Sequence, residues 1–343
     1  MAETAEPDSE TTSMSGGEKL VTAVLMIAAL MDFLDGSIVN VALPTIRAEL
    51  GADATAVRWI VSGYMLAFAA GLVIAGRLGD LFGRRRLFLL GVAAFTCASL
   101  AAGLAQTPGQ LVGARLAQGL AAATVAPQVL ASLRALFSGS RRASVFGVYG
   151  ALAGLATAAA VILGGVLTQV DIFGLGWRAV FLINVPVSLF VLLLGLRVLP
   201  ETKGERTGRM DVLGSVTLVA GLTAVSYPLL EGQHLGWPWW CWLLIVAGVL
   251  ALLGLGLLEP ARSRAGVAPL LQSGLFAIPA FSAGIAIQLV FSLAMQGLAV
   301  AMILWLQSGR GFTPLQAGLT LLWFSVGGIL TAPTAGTLAL TRG

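Results

Sequence analysis

The chain has 343 residues, of which 57% are hydrophobic and 10% charged, and its mean hydropathy is +0.92. Soluble domains carry about 25% charged residues, so this deficit excludes a water-soluble globular enzyme and indicates a polytopic membrane protein. The net charge of +4 and pI of 9.6 would suit nucleic acid or lipid headgroups, but the placement of the basic residues reads instead as a topology signal.

Residues 1–18 (MAETAEPDSETTSMSGGE) hold five acids and no basic residue. That composition predicts a disordered cytoplasmic tail and is the reverse of a signal peptide's positive start. Ten apolar stretches follow, each roughly 20 residues and so about 30 Å long as a helix. They fall at 20–44, 57–75, 87–106, 110–133, 144–168, 179–199, 212–230, 238–258, 278–306 and 315–340. With the N-terminus inside, fifteen of the 20 Lys and Arg residues gather on one side. Arg47, Arg58, Arg178 and Arg310 lie on the other, and Arg115 is within a span. The positive-inside rule then places both ends of the chain in the cytoplasm, with the spans crossing the cytoplasmic membrane.

The first span contains MDFLDGSIVNVALP (31–44), with Asp32 and Asp35 three residues apart on one helical face. A carboxylate at bilayer depth costs ~2.5–3.5 kcal/mol or more. Either both acids are hydrogen-bonded to neighbouring helices for packing, or one or both bind a proton or a cationic ligand. Asn40 and Pro44 add a polar face and a bend. Between the second and third spans, GRLGDLFGRRRLF (76–88) interleaves Gly76, Gly79 and Gly83 with Asp80, Arg84, Arg85 and Arg86. The glycines allow sharp turns and close backbone approach.

In the fourth span, ARLAQGLAAATVAP (114–127) holds Arg115, a guanidinium that cannot shed its charge. It needs carbonyls or a carboxylate, and Asp35 and Asp32 are the intramembrane acids available. Gln118 lies one turn on. In the sixth span, WRAVFLINVPVSLF (177–190) puts Trp177 and Arg178 at the outer interface as anchors, with Asn184 and Pro186 inside. The loop PETKGERTGRMD (200–211) is the richest in charge and marks a boundary between bundles. GWPWWCW (236–242) is an aromatic belt.

Several chemistries lack their residues. No GxxxxGK[ST], GxSxG or HExxH occurs, so neither nucleotide hydrolysis nor these forms of hydrolytic catalysis is expected. His234 is the single histidine, which leaves no His-based metal site. Cys97 and Cys241 both fall in apolar spans, so a disulfide framework is not expected. We expect no catalytic residues, no metal and no cofactor.

Together these segments resemble the major facilitator superfamily, in its fourteen-helix drug:proton antiporter branch. LDGSIVNVALP is similar to that branch's first-helix motif LDxTIVNVALP, with Ser37 for threonine. GRLGDLFGRRRLF matches the loop motif GxLaDrxGrkxxl at Gly76, Leu78, Gly79, Asp80, Gly83, Arg84 and Arg85, with Leu81 where a basic residue is usual. RLAQGLAAA matches RxxQGxgaA at Arg115, Gln118, Gly119, Ala122 and Ala123. WRAVFLINVP and LQSGRGFTPLQAGL (306–319) are also similar to branch segments. The fifth-helix motif GxxxGPxxGG falls on ATAAAVILGG (156–165), which keeps Gly164 and Gly165 but has Ala156, Ala160 and Val161 where glycines and a proline are usual.

The resemblance implies an all-α major facilitator fold of two six-helix bundles with two helices inserted between them. Here it implies an N-terminal bundle at 19–200, a cytoplasmic linker at 201–210 and the inserted pair at 211–258. Residues 259–343 would be the first two helices of the C-terminal bundle. The branch has four more helices, and the chain accordingly reads as a fragment of a longer transporter. By resemblance Asp35 takes part in proton or cation coupling and Arg115 in proton relay. The loop around Asp80 latches the two bundles, in the family through the eleventh helix. Asp32 matches no motif position, and its role rests on burial. Asn40, Tyr64, Gln118, Gln128 and Asn184 are the expected lining of a substrate cavity. The expected activity is proton-coupled export of amphiphilic small molecules, with the bilayer, protons and substrate as partners and no nucleic acid. Proton symport of a metabolite and a truncated, non-transporting membrane protein are the alternatives.

Overall fold

The computed structural model describes residues 14–169, 174–202, 209–264, 267–268, 273–312, 316–317, 319–320, 323 and 327. Residues 1–13, residues 203–208 of the expected linker and most of the expected tenth span lie outside the described residues.

Helix α1 runs Gly16–Leu50, α2 Ala54–Phe82, α3 Arg84–Gly103, α4 Pro108–Leu136 and α5 Gly139–Gln169. The sixth span divides into a 3-10 turn, Gly176–Arg178, then α6, Ala179–Leu182, and α7, Asn184–Val198. Next come α8, Val212–Leu235, and α9, Trp239–Arg264, then α10, Ser273–Phe276, and α11, Pro279–Leu304. A π turn, Trp305–Gly309, continues α11. Strands β1 (Arg209–Met210) and β2 (Val267–Ala268) form a two-residue parallel pair that joins the segment before α8 to the one after α9. Seven of the described helical segments are long and apolar enough to cross a membrane.

The helices outrun the apolar spans because polar caps carry them past the hydrocarbon. Ser15 N–H donates to Glu18 Oε2 at 2.8 Å while Glu18 N–H donates to Ser15 Oγ at 3.2 Å, a reciprocal capping box. Residues 16–18, expected in the tail, therefore belong to the helix. Asp53, Thr107 and Asp211 cap α2, α4 and α8 by accepting the backbone N–H three residues on. At 35 residues, α1 is about 52 Å long, well beyond the ~30 Å core of a bilayer.

The main packing pairs are α2 on α4, α3 on α4, α1 on α5 and α8 on α9, with α8 also lying along α2. Small residues set the spacing. A Cβ at Gly119 in α4 would collide with the Tyr64 carbonyl oxygen of α2, so these backbones meet where a side chain cannot fit. Two large apolar clusters fill the bundle, with a smaller third around Met31, Tyr64 and Phe95. One of the large clusters joins Leu25, Phe88, Val129, Leu133 and Val191, and the other joins Ile38, Ile46, Ile60, Leu111, Trp177 and Phe181. Between them along α1 lies a layer that contains Asp32 and Asp35.

Trp177 departs from its expected place. It is fully buried rather than at a lipid interface. Its indole N–H donates to Glu49 Oε2 at 2.9 Å and its ring packs edge-on against Phe181. Glu49 is itself exposed, so the ring is buried while its N–H stays on a carboxylate that reaches solvent. Arg178 stays partly exposed, stacked on that ring at 4.4 Å.

Candidate functional site

Five helices, α1, α2, α3, α4 and α7, bring polar groups to one point. Asp35 of α1 has no solvent exposure and Arg115 of α4 has 1%. Arg115 Nη1 donates to Asp35 Oδ2 at 2.6 Å and to Gln118 Oε1 at 3.0 Å, and its Nε donates to the Ile60 carbonyl at 3.0 Å. Gln118 Nε2 donates to Asp35 Oδ1 at 2.9 Å and to Ser99 Oγ at 2.9 Å. Asn184 Nδ2 donates to the same Asp35 Oδ1 at 2.7 Å. Asp35 thus accepts from three donors on two helices besides its own.

Burial of an ion pair is tolerated only when its remaining polar atoms are hydrogen-bonded. Here Gln118, whose two amide ends serve the arginine and the aspartate at once, closes the pair into a ring. The Arg115 guanidinium also lies over the Tyr64 ring, 4.1 Å from its centroid, with the Phe181 ring at 5.9 Å. Such faces attract a desolvated cation.

Asp32, one turn before Asp35, is placed differently. Its Oδ1 accepts from the Tyr64 hydroxyl at 2.8 Å. No other hydrogen bond to it is present among the described residues, and it keeps 9% exposure. Tyr64 therefore touches both halves of the site, by its hydroxyl to Asp32 and by its ring to Arg115.

Of the five residues expected to line a substrate cavity, only Asn40 is exposed. Gln118, Asn184 and Tyr64 are buried within the charge network just described. Gln128 lies apart from it, 1% exposed, with its Nε2 donating to the Ala75 carbonyl at 2.9 Å. The close approach at Gly79 leaves that amide its room.

The glycine-rich loop between α2 and α3 is held by local partners. Asp80 pairs with Arg84 at 3.0 Å. Gly83 has φ +104°, which L side chains rarely adopt, and Glu201 fills the space where its Cβ would be. Glu201 accepts from the Arg85 backbone N–H at 3.2 Å and sits 3.7 Å from Arg86 Nε. Arg85 Nη2 donates to the Leu196 carbonyl, and the Arg84 N–H donates to the Thr202 carbonyl at 2.9 Å. Sequence reasoning missed Glu201, although an acid shortly after a span that is followed by arginines elsewhere was the available signal. Gly76 lies against Pro127.

In α5, Gly164 meets Val41 and Ile38 of α1 so closely that a Cβ there would come within 2.9 Å of Val41 Cβ. Gly165 faces open space. Ala156 and Ala160 are buried.

A family model described as the Major Facilitator Superfamily matches residues 25–212. The chain is 39% identical to the probable actinorhodin transporter of Streptomyces coelicolor over 91% of its own length and 55% of that protein's. It is 36% identical to the tetracenomycin C resistance and export protein of Streptomyces glaucescens, over 90% of the chain and 56% of that protein. The multidrug resistance protein Stp of Mycobacterium tuberculosis is 35% identical, over 90% and 56%. The chain spans about half the length of these curated relatives. Among solved structures, the proton:xylose symporter XylE bound to 6-bromo-6-deoxy-D-glucose aligns with a TM-score of 0.60 at 13% identity, over 95% of this chain and 70% of that one. That likeness is one of fold. On the family match and these identities, the protein is a multi-pass membrane protein that belongs to the Major Facilitator Superfamily.

Proposed function

We propose that the protein is a proton-coupled secondary transporter that exports amphiphilic small molecules across the cytoplasmic membrane. One observation carries this reading: a fully buried Asp35–Arg115 pair, held by Gln118 and Asn184 and bordered by the less enclosed Asp32, at mid-depth in a bundle of this family. Ionisable groups at such depth mark ion or substrate pathways. The relatives named as antibiotic exporters and resistance proteins support the substrate class.

In this reading α1–α7 form the N-terminal transport bundle, α8 and α9 are the inserted pair, and α11 belongs to the second bundle. The distribution of Lys and Arg supports a cytoplasmic Gly16 end of α1. Asn40, exposed on α1, faces the substrate path. Gln118, Asn184 and Tyr64 act by holding the Asp35–Arg115 pair and Asp32 in place rather than by direct contact with substrate. The Asp80 loop, with Gly76, Gly83, Arg84 and Arg85, controls reorientation of the bundle, and Gly164 keeps α5 close to α1. One proton moving through a ~100 mV potential supplies about 2.3 kcal/mol, which sustains a substrate gradient of about 40-fold.

The test is accumulation of an amphiphilic cation, ethidium, in cells that make the protein. Cells with the native sequence should accumulate less dye than control cells, and Asp35→Asn should restore control levels. Equal accumulation with and without the native protein would count against export. Proton symport draws on one observation, that α5 has Val161 in place of the branch's proline and runs unbroken over Gly139–Gln169. The direction of substrate flux when a pH gradient is collapsed separates the two.

A further inference from the structure

The charge network contains two carboxylates of one helix that differ in what surrounds them, and the difference assigns them different work. Resting on the transport reading above, we propose that Asp32, and not Asp35, is the carboxyl that takes up and releases the coupled proton, while Asp35 stays ionised as the fixed partner of Arg115.

Asp35 is closed to a proton by its neighbours. Both its oxygens face N–H donors: Arg115 Nη1 at Oδ2, and Gln118 Nε2 and Asn184 Nδ2 at Oδ1. Oδ1 has two donors and no lone pair left for a proton, and a proton on either oxygen would leave the guanidinium of Arg115, 1% exposed, without its counter-charge. Gln118 cannot relieve the conflict by turning its amide, because its Oε1 is already taken by Arg115. Asp35 itself has no solvent exposure.

Asp32 meets none of these obstacles. Oδ1 accepts from the Tyr64 hydroxyl, and Oδ2 has no hydrogen bond among the described residues. A proton from water forms an O–H bond at Oδ2 and breaks no existing contact, and on release it returns to water. A tyrosine hydroxyl can donate or accept, so Tyr64 serves both states of the acid. The titratable and charged groups that face Asp32 are Tyr64 from α2, Asp35 one turn on in α1, Arg115 from α4 and Tyr149 from α5. Tyr64 is the group that carries the change onward. Its hydroxyl is on Asp32 and its ring lies under the guanidinium of Arg115, so a change in charge at Asp32 is felt at the α1–α2–α4 junction without protonation of the ion pair itself.

Infrared difference spectroscopy of the purified protein, stepped through pH, reads the carbonyl stretch of a protonated carboxyl directly and does not depend on transport. The native protein should show a titrating component that is absent in Asp32→Asn. Tyr64→Phe keeps the ring over Arg115 but deletes the one hydrogen bond to Asp32, and it should move the position of that component. The proposal is overturned if Asp32→Asn keeps the full native signal or if Tyr64→Phe leaves the component unmoved. Both variants leave the Asp35–Arg115 pair in place, so neither result depends on whether Asp35→Asn folds. If the component is that of Asp32 but the pH gradient drives no substrate, the transport reading falls and the assignment of the protonatable carboxyl stands.

Discussion

The helices of residues 16–198 and helix α11 are built from similarly apolar stretches, yet they differ in what they bury. In the first region buried polar side chains occur at Asp32, Asp35, Arg77, Ser99, Arg115, Gln118, Gln128, Asn184 and Ser188, and several of them tie one helix to another. In α11, whose following span lies mostly outside the described residues, the described side chains are nearly all exposed, and Gln288 donates to Ser292 of its own helix at 3.2 Å. Hydrophobicity brings a helix into the bilayer but does not choose its neighbours, because lipid is as apolar as leucine. Polar pairs and glycine contacts make that choice.

The largest effect expected from this difference is at Arg115. Arg115→Met leaves Asp35 as a buried, unpaired carboxylate, a loss of about 3–5 kcal/mol, and should lower the midpoint of detergent-solubilised thermal unfolding sharply. Gln288→Ala in α11 should leave the same midpoint unchanged. Next is Gly119→Val, which forces α4 away from the Tyr64 carbonyl of α2 and should cost about 1–3 kcal/mol by overpacking. A variant that unfolds like the native protein would show that the α2–α4 approach is looser than the contact at Gly119 requires. Smallest is Arg58→Ala. Arg58 Nη2 sits 3.3 Å from Glu231 Oε2 and joins α2 to α8, beside the Trp59–Tyr227–Trp240 ring series. Its loss should cost about 1 kcal/mol and raise hydrogen exchange in α8 and α9 while α3 and α4 stay protected. Equal loosening of all four helices would mean that the two regions are one cooperative unit.

Much of this was legible before the structure. An arginine inside a span cannot be left alone, so Arg115 had to find Asp35 or Asp32, and the sequence offered no other intramembrane acid. The spans were legible from length and hydropathy, but hydropathy does not register their ends, which lie at polar caps such as Ser15 with Glu18, itself a Ser-x-x-Glu sequence signal, and Asp53. The link from Asp32 to Tyr64 was also hidden. It joins residues 32 positions apart, and a neutral tyrosine in a membrane span has many readings. Gln118 and Asn184 looked like cavity lining because polarity within a span points inward without saying whether it meets a substrate or another side chain. Gln128 carried the same ambiguity, and in the structure its amide donates to the Ala75 backbone carbonyl, a partner invisible in sequence. Trp177 followed the interfacial habit of tryptophan in sequence, and packing against Phe181 in an apolar cluster buries its ring.

The measurement that bears most directly on the account is ethidium flux in inverted membrane vesicles containing the protein, under an imposed pH gradient. Movement of dye against the proton flux, lost when the gradient is collapsed and lost in Asp35→Asn, is the predicted result. Dye flux that ignores the gradient, or that persists with Asp35→Asn, would contradict it.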